Sequence, residues 1–407
     1  MFMSLLRRRP PWYRRCLSSS ATASPIPPTV TRIEKIILDG IKATGPIPFA
    51  TYMQMCLSHP THGYYMNPEN PIFGAKGDFV TSPEISGVFG EILGVWLMAQ
   101  WLEWSQSKKP IRLIELGPGR GTLMQDILRV ASQFGKDQLK SVHLVETSPT
   151  LRALQETRLA ASAAKYGCTL QWHDSLDQIE PSEEAYTLVV AHEFFDALPF
   201  HVIEKSDAGW HEILIALAED SEVYPRFRYV LSSPSAAASL LGSSTPRFKD
   251  LPSGTRLEVS PASFKIMRKI GTLLAAPGGG CGLIVDYGAD KAFGQSFRAF
   301  KSHAIVDPFH TPGECDLTAN VDFAYLKEAT AGLVVPTHGP LTQADFLERM
   351  GLSMRIEALT RDKAERDAQH IRMAAQRLVD LKGMGGEYQV LGVGGQPREG
   401  VVWPFVA

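Results

Sequence analysis

Two runs in the chain carry groups able to bind and activate a ligand. In the first, the mostly apolar stretch 111–114 ends in Glu115-Leu116-Gly117-Pro118-Gly119-Arg120-Gly121, followed by a helix-like segment over 123–130. This is the layout of a strand, a tight turn and a helix at a nucleotide-type site. Glycines on alternate positions let the backbone approach a ligand closely, and an acid at the strand tip offers an acceptor. A dinucleotide fingerprint needs G-x-G-x-x-G. Counted from Gly117 its third glycine is Thr122, and counted from Gly119 it is Met124, so both registers fail. In the second run, Ala191-His192-Glu193-Phe194-Phe195-Asp196-Ala197-Leu198-Pro199, an apolar strand ends in an acid, two aromatics and a second acid. Two carboxylates can clamp a guanidinium while aromatic rings stack on its plane and exclude water. The plainer reading is a charged loop covering a core edge. Acids beside large apolar groups are costly unless paired, which favours the functional one.

These runs need a scaffold that brings strand ends together. Strands are expected at Ile111–Glu115, Val142–Glu146, Thr169–Trp172, Thr187–Ala191 and Gly282–Asp286, with helices after Gly121 and after Ser148 separating the first three. Short buried strands alternating with amphipathic helices indicate a mostly parallel sheet covered on both faces, with ligands beyond the carboxyl ends of its strands. Those ends carry Glu115, Glu146, Asp174, His192-Glu193 and Asp286. Glu146 can accept from ribose hydroxyls, while Ser148 and Pro149 cap and start the next helix. Asp174 reads equally as part of a turn or as an acceptor for an adenine amino group.

Around this core, Ile33, Ile36, Ile37 and Ile41 mark a helix, a second runs through Tyr52 to Leu57, and a long one follows Pro83 from Glu84 to Trp104. Ser82 is expected to cap that helix. Val202–Glu204, Trp210–Ala218 and Phe227–Leu231 read as antiparallel strands of a lobe inserted over 201–260. Loops around short elements are expected over 287–340, and mostly helix over 342–382. The organisation expected is 1–24 leader, 25–109 helical extension and loop, 110–200 first core part, 201–260 lobe, and 261–395 second core part with C-terminal helices.

Composition narrows the function. No apolar run approaches the ~20 residues a membrane span needs. The first acid is Glu34, preceded by six arginines and a Ser/Ala tract, which is the signature of a mitochondrial transit peptide. Removing five arginines and no acid with 1–24 takes the formal charge from −2 to −7. An acidic body argues against a nucleic-acid partner. Five scattered cysteines without C-x-x-C, and His59-Pro60-Thr61-His62 without a completing carboxylate, support neither disulfides nor a metal site.

E-x-G-x-G-x-G resembles the first motif of class I S-adenosylmethionine-dependent methyltransferases. Taken with GDFVTSPEISGVFGEILGVWL, HLVETSP, AHEFFDALPFHV, LIVDYG, PGECDLTANVDFAYL, HGPLTQADFLERMG and MGGEYQVLGV, the chain resembles the MidA family. Mitochondrial members of that family are protein arginine methyltransferases acting as complex I assembly factors. The resemblance implies a class I methyltransferase α/β (Rossmann-like) sheet with an N-terminal helical extension and an inserted β-containing lobe. Its implied cofactor is S-adenosyl-L-methionine, held by Glu115, Gly117, Gly119, Gly121, Glu146 and Asp174. Glu193 and Asp196 are implied as the catalytic, arginine-handling acids, with His192 where bacterial relatives usually have Asn. It further implies symmetric dimethylation, in the mitochondrial matrix, of a complex I core subunit, the iron-sulfur protein 2 subunit. A small-molecule methyltransferase of the same fold, and a non-catalytic assembly chaperone that binds S-adenosyl-L-methionine, stay open as alternatives. The oligomeric state is open too, a homodimer included.

Overall fold

The computed structural model describes residues 29–68, 70, 80–105, 108–135, 137–220, 224–394 and 402–405. The expected leader over 1–24 and part of the Gly77–Val80 run lie outside these residues.

The extension is built first. Helix α1 (Arg32–Thr44) starts in a capping box, in which the Thr31 hydroxyl accepts from Glu34 N–H and Glu34 reaches back to Thr31 N–H. Strand β1 (Ile47–Pro48), helix α2 (Phe49–Ser58), the short helix α3 (Ser82–Ile85) and helix α4 (Gly87–Ser105) follow. The expected single helix after Pro83 is thus two. Ser86 adopts an extended conformation between them, and its hydroxyl accepts from Val88 N–H. Ser82 is the first residue inside α3 rather than its cap, and Thr81 occupies the cap position. Helix α4 is apolar on nearly every face because it is buried, with Trp96 and Trp101 in the core.

The core then alternates as expected: β2 (Ile111–Leu116), α5 (Thr122–Gly135), β3 (Leu139–Val145), α6 (Pro149–Tyr166), β4 (Thr169–His173) and β5 (Tyr186–His192). The inserted segment forms β6 (His201–Ser206), β7 (Gly209–Leu217), β8 (Phe227–Leu231), α7 (Ala236–Gly242) and β9 (Arg256–Val259). The chain returns through α8 (Pro261–Leu274) to β10 (Gly280–Ala289). Beyond it come β11 (Arg298–Lys301), β12 (Ala304–Val306), β13 (Asp316–Thr318), β14 (Val321–Asp322), α9 (Phe323–Ala329) and β15 (Thr337–Thr342). Helices α10 (Gln343–Arg349), α11 (Leu352–Thr360), α12 (Glu365–Val379) and α13 (Met384–Glu387) lead into β16 (Tyr388–Gly394).

The main sheet runs β15-β16-β10-β5-β2-β3-β4, with β14 also on β10. From β10 to β4 the strands are parallel, and β16 lies antiparallel on β10. Strands β2 and β5 are buried along their whole length, as a sheet covered on both faces requires. One apolar cluster packs α4 and α5 on one face, and another packs α8 and α9 on the other. The lobe is an antiparallel sheet, β1-β7-β6-β9 with β8 on β7, so the extension supplies one of its strands. A buried Arg226–Glu34 ion pair at 3.0 Å also ties lobe to extension. No described helix is long and apolar enough to cross a membrane.

Candidate active site

The five parallel strands end at one side of the sheet, and a cavity of about 630 Å³ opens there. That size suits a small-molecule or cofactor site. Glu115, Gly117, Gly119, Glu146, Asp174, Glu193 and Asp196 all line it. Gly121 does not. With φ of 77°, Gly121 closes the turn by donating its N–H to Pro118 O at 2.7 Å. Its Cα faces Gln155 and Leu159 of α6 instead of the cavity.

The glycine loop is local in origin. Gly117 and Gly119 both have positive φ, 63° and 51°, which an L side chain adopts at a cost. A Cβ on Gly117 would stand 2.9 Å from the Phe194 ring, so the loop and the second acid run are packed against each other. Glu115 is 2 % exposed, its Oε2 has no hydrogen-bond partner, and burial together with the Glu146 charge pushes its pKa up to about 8. Glu146 Oε1 accepts from Ser148 N–H at 2.8 Å and Oε2 from Gln155 at 3.3 Å, which fixes the carboxylate at the end of β3. Asp174 stands at the exposed rim, ion-paired with Arg152 at 2.5 Å.

The other end of the cavity is acidic and enclosed. Glu193 follows β5 directly with φ of 50°, a left-handed conformation uncommon for a non-glycine residue. Such strain persists where surrounding structure over-determines it. The determinant here is Asp286 of β10, wholly buried, whose Oδ2 accepts from Phe194, Phe195 and Asp196 N–H at 3.1, 2.9 and 3.3 Å. Its Oδ1 takes Tyr287 N–H at 3.0 Å. The whole acid–aromatic turn is therefore wrapped around one carboxylate.

Within that turn, the Tyr388 hydroxyl and Ser82 N–H favour the charged form of the Glu193 carboxylate, while its Oε1 has no hydrogen-bond partner. Burial and then the Asp196 charge raise its pKa well above the ordinary carboxylate range. Asp196 Oδ2 accepts from Tyr287 Oη and from Thr318 Oγ1 at 2.8 Å, and Oδ1 has no partner. Burial raises its pKa, opposed by those hydroxyls. His192, packed between Phe89 and Tyr388, is driven by burial down to about 3 and is neutral, with Nε2 3.4 Å from Glu193 Oε1. Asp316, hydrogen-bonded by Tyr65 Oη at 2.7 Å, also lines this end, as do Tyr287, Tyr388 and Phe300.

Sequence reasoning placed Asp286 at a strand tip without its role as the acceptor for the turn. It did not single out Tyr65, Tyr287, Asp316, Thr318 or Tyr388, and it took Ser82 only as a helix cap. Only the runs TSPEISG, LIVDYG, GECDLTAN and GEYQV carried a signal for most of them, as family-like segments. The positive-φ glycines, the unpartnered Glu115 oxygen and the fixed Glu146 carboxylate together fit a nucleoside cofactor with an amino-acid tail.

Comparison with known proteins agrees with the fold and with the motif resemblance. Residues 92–341 match the model of a family described as S-adenosyl-L-methionine-dependent methyltransferase. The mitochondrial protein arginine methyltransferase NDUFAF7 of Danio rerio is 37 % identical over 94 % of this chain and 90 % of its own. Its Homo sapiens counterpart is 36 % identical over 88 % and 82 %. A crystal structure from Burkholderia thailandensis, bound to S-adenosyl-homocysteine, superposes with a TM-score of 0.71 at 26 % identity, covering 91 % of this chain and 95 % of that one. Fold, matched family and relatives converge: the chain belongs to this family of S-adenosyl-L-methionine-dependent methyltransferases, and S-adenosyl-L-methionine is its cofactor.

Proposed function

We propose that the protein methylates an arginine side chain of a protein substrate, giving symmetric dimethylarginine on the iron-sulfur protein 2 core subunit of complex I in the mitochondrial matrix. The observation that carries the reading is a pair of buried carboxylate oxygens without partners, Glu193 Oε1 and Asp196 Oδ1, lining the same cavity as the glycine loop. An unpaired buried acceptor is costly, and a guanidinium with five N–H donors satisfies both. The named activity of the relatives supports the same substrate class.

Glu115, the Gly117–Gly119 turn, Glu146 and Asp174 would hold the cofactor. When bound, S-adenosyl-L-methionine supplies a methyl group made electrophilic by the adjoining sulfonium. Glu193 and Asp196 orient the guanidine so that one terminal nitrogen presents its lone pair. Positioning of this kind is worth up to ~7–11 kcal/mol in well-oriented reactions. Acceptance of a methyl leaves the nitrogen with a proton to lose, and Glu193, whose Oε1 has no other hydrogen-bond partner, takes it. Phe194, Tyr287 and Tyr388 keep water from the acids.

The test is mass spectrometry of that subunit isolated from cells with and without this protein. Symmetric dimethylarginine present in the first and missing in the second is expected. An identical modification state in both, with complex I assembly still dependent on the protein, would favour a non-catalytic chaperone.

A further inference from the structure

Strand β13 brings a third carboxylate to the acceptor end. Asp316 and Thr318 are two residues apart on it, so their side chains leave the same face, roughly 7 Å apart. Thr318 reaches Asp196 Oδ2, which fixes that face towards the acids. The register agrees, since Asp316 pairs with Phe300 across the antiparallel ladder and both line the cavity. Asp316 is 6 % exposed, and Tyr65 from the turn after α2 hydrogen-bonds its Oδ1.

Glu193 Oε1 and Asp196 Oδ1, both buried without a hydrogen-bond partner, call for a cation at this end. Glu193, Asp196 and Asp316 all line the cavity, and Asp286 is buried behind the turn that carries the first two. Arg298 offsets part of this. It is engaged by Asn320 Oδ1 at 2.7 Å and Ser296 O at 3.0 Å, with its guanidinium 4.9 Å from the Tyr287 ring centre. Among the described residues, the cations that line the cavity lie on the glycine loop and α8, where Arg120 pairs with Glu84 and Lys265 with Asp177. A lysine head offers three donors from one nitrogen, whereas a guanidinium spreads five over three nitrogens and can meet several carboxylates at once.

We propose that Asp316, steered by the Tyr65 hydroxyl, is a third carboxylate that binds the acceptor's guanidine alongside Glu193 and Asp196. This rests on the arginine-methylating reading above and adds to it a binding residue supplied from outside the methyltransferase core, with its orienting hydroxyl on the N-terminal extension.

The experiment measures KM and kcat for the protein substrate, and cofactor affinity, in the full chain and in Asp316→Asn, Asp316→Glu and Tyr65→Phe. Asp316→Asn should raise KM about tenfold or more with kcat within about threefold and cofactor affinity unchanged. Asp316→Glu should recover part of the loss, and Tyr65→Phe should raise KM about threefold. An unchanged KM in Asp316→Asn, or a parallel loss of cofactor affinity, overturns the proposal. If Asp316→Asn does not fold, Tyr65→Phe decides, and a parental KM there overturns it. A parent protein that methylates no arginine rejects the underlying reading instead, whereas an active parent with an indifferent Asp316→Asn rejects only this one.

Discussion

The two ends of the cavity are built in opposite ways. The cofactor end is made of consecutive strand–turn–helix units: Glu115 to Gly119 after β2, Glu146 after β3, Asp174 after β4. Glu115 and Glu146 are buried there, while Asp174 stands exposed at the rim and pairs with half-buried Arg152. The acceptor end gathers Glu193 and Asp196 from one turn, Tyr287 from β10, Thr318 and Asp316 from β13, Tyr388 from β16, and Tyr65 and Ser82 from the extension. On the reading proposed above, cofactor recognition would rest on a contiguous loop and strand tips, and acceptor recognition on buried acids held by distant partners. Damage should divide along that line.

The largest separation is expected from Gly119→Val. A β-branched residue is strained at a φ of 51°, at a position that lines the proposed cofactor end of the cavity. Calorimetric titration should find S-adenosyl-L-methionine affinity down about a hundredfold or more, with circular dichroism unchanged. Normal affinity in the folded variant would remove the loop from the cofactor site.

Asp286→Ala acts on the other end. It strands four backbone N–H groups at the acid–aromatic turn, and each buried donor left unpaired costs ~1–3 kcal/mol before relaxation. Denaturant unfolding should show a stability loss of about 3 kcal/mol, and turnover should fall further than cofactor affinity. Equal losses of both would mean that the two ends are not separable.

A smaller effect is expected from Glu115→Gln. The folded-state pKa of Glu115 is about 8, against ~4.3 for an unfolded glutamate. Between those values the unfolded chain gives up the proton and the folded chain keeps it, so this residue's contribution to stability falls as pH rises. Gln avoids that loss. Thermal unfolding of the cofactor-free protein should show the variant gaining a few degrees over the parent at pH 8 relative to pH 5. A difference that does not change with pH would mean that Glu115 is ionised throughout.

The same contrast explains what was legible in the sequence. The cofactor end could be read because its strand, turn and acid are contiguous, and the five parallel strands were found with boundaries off by no more than three residues. Gly121 was assigned to the ligand because of its spacing, but it serves the turn. Glu193 and Asp196 stood out because acids beside two phenylalanines at a strand tip need a reason. Their partners did not, since Thr318 is 122 residues from Asp196 and Asp316 is 251 from Tyr65. Strand β16 escaped the reading of residues because an antiparallel strand after a helical region has no βαβ pattern to announce it. The break at Ser86 was passed over although Gly87 beside it is a poor helix former, because the apolar run after it reads as one long helix from Glu84.

The most direct test of the account is Glu193→Gln, assayed side by side for S-adenosyl-L-methionine affinity and for methyl transfer to the protein substrate. The change keeps shape and removes only the charge and a proton site at the acceptor end. The account predicts cofactor affinity within about twofold of the parent and methyl transfer reduced by at least about a hundredfold, in the range of a lost general base or charge-stabilising group. Transfer at the parental rate, with the cofactor bound as before, would contradict it.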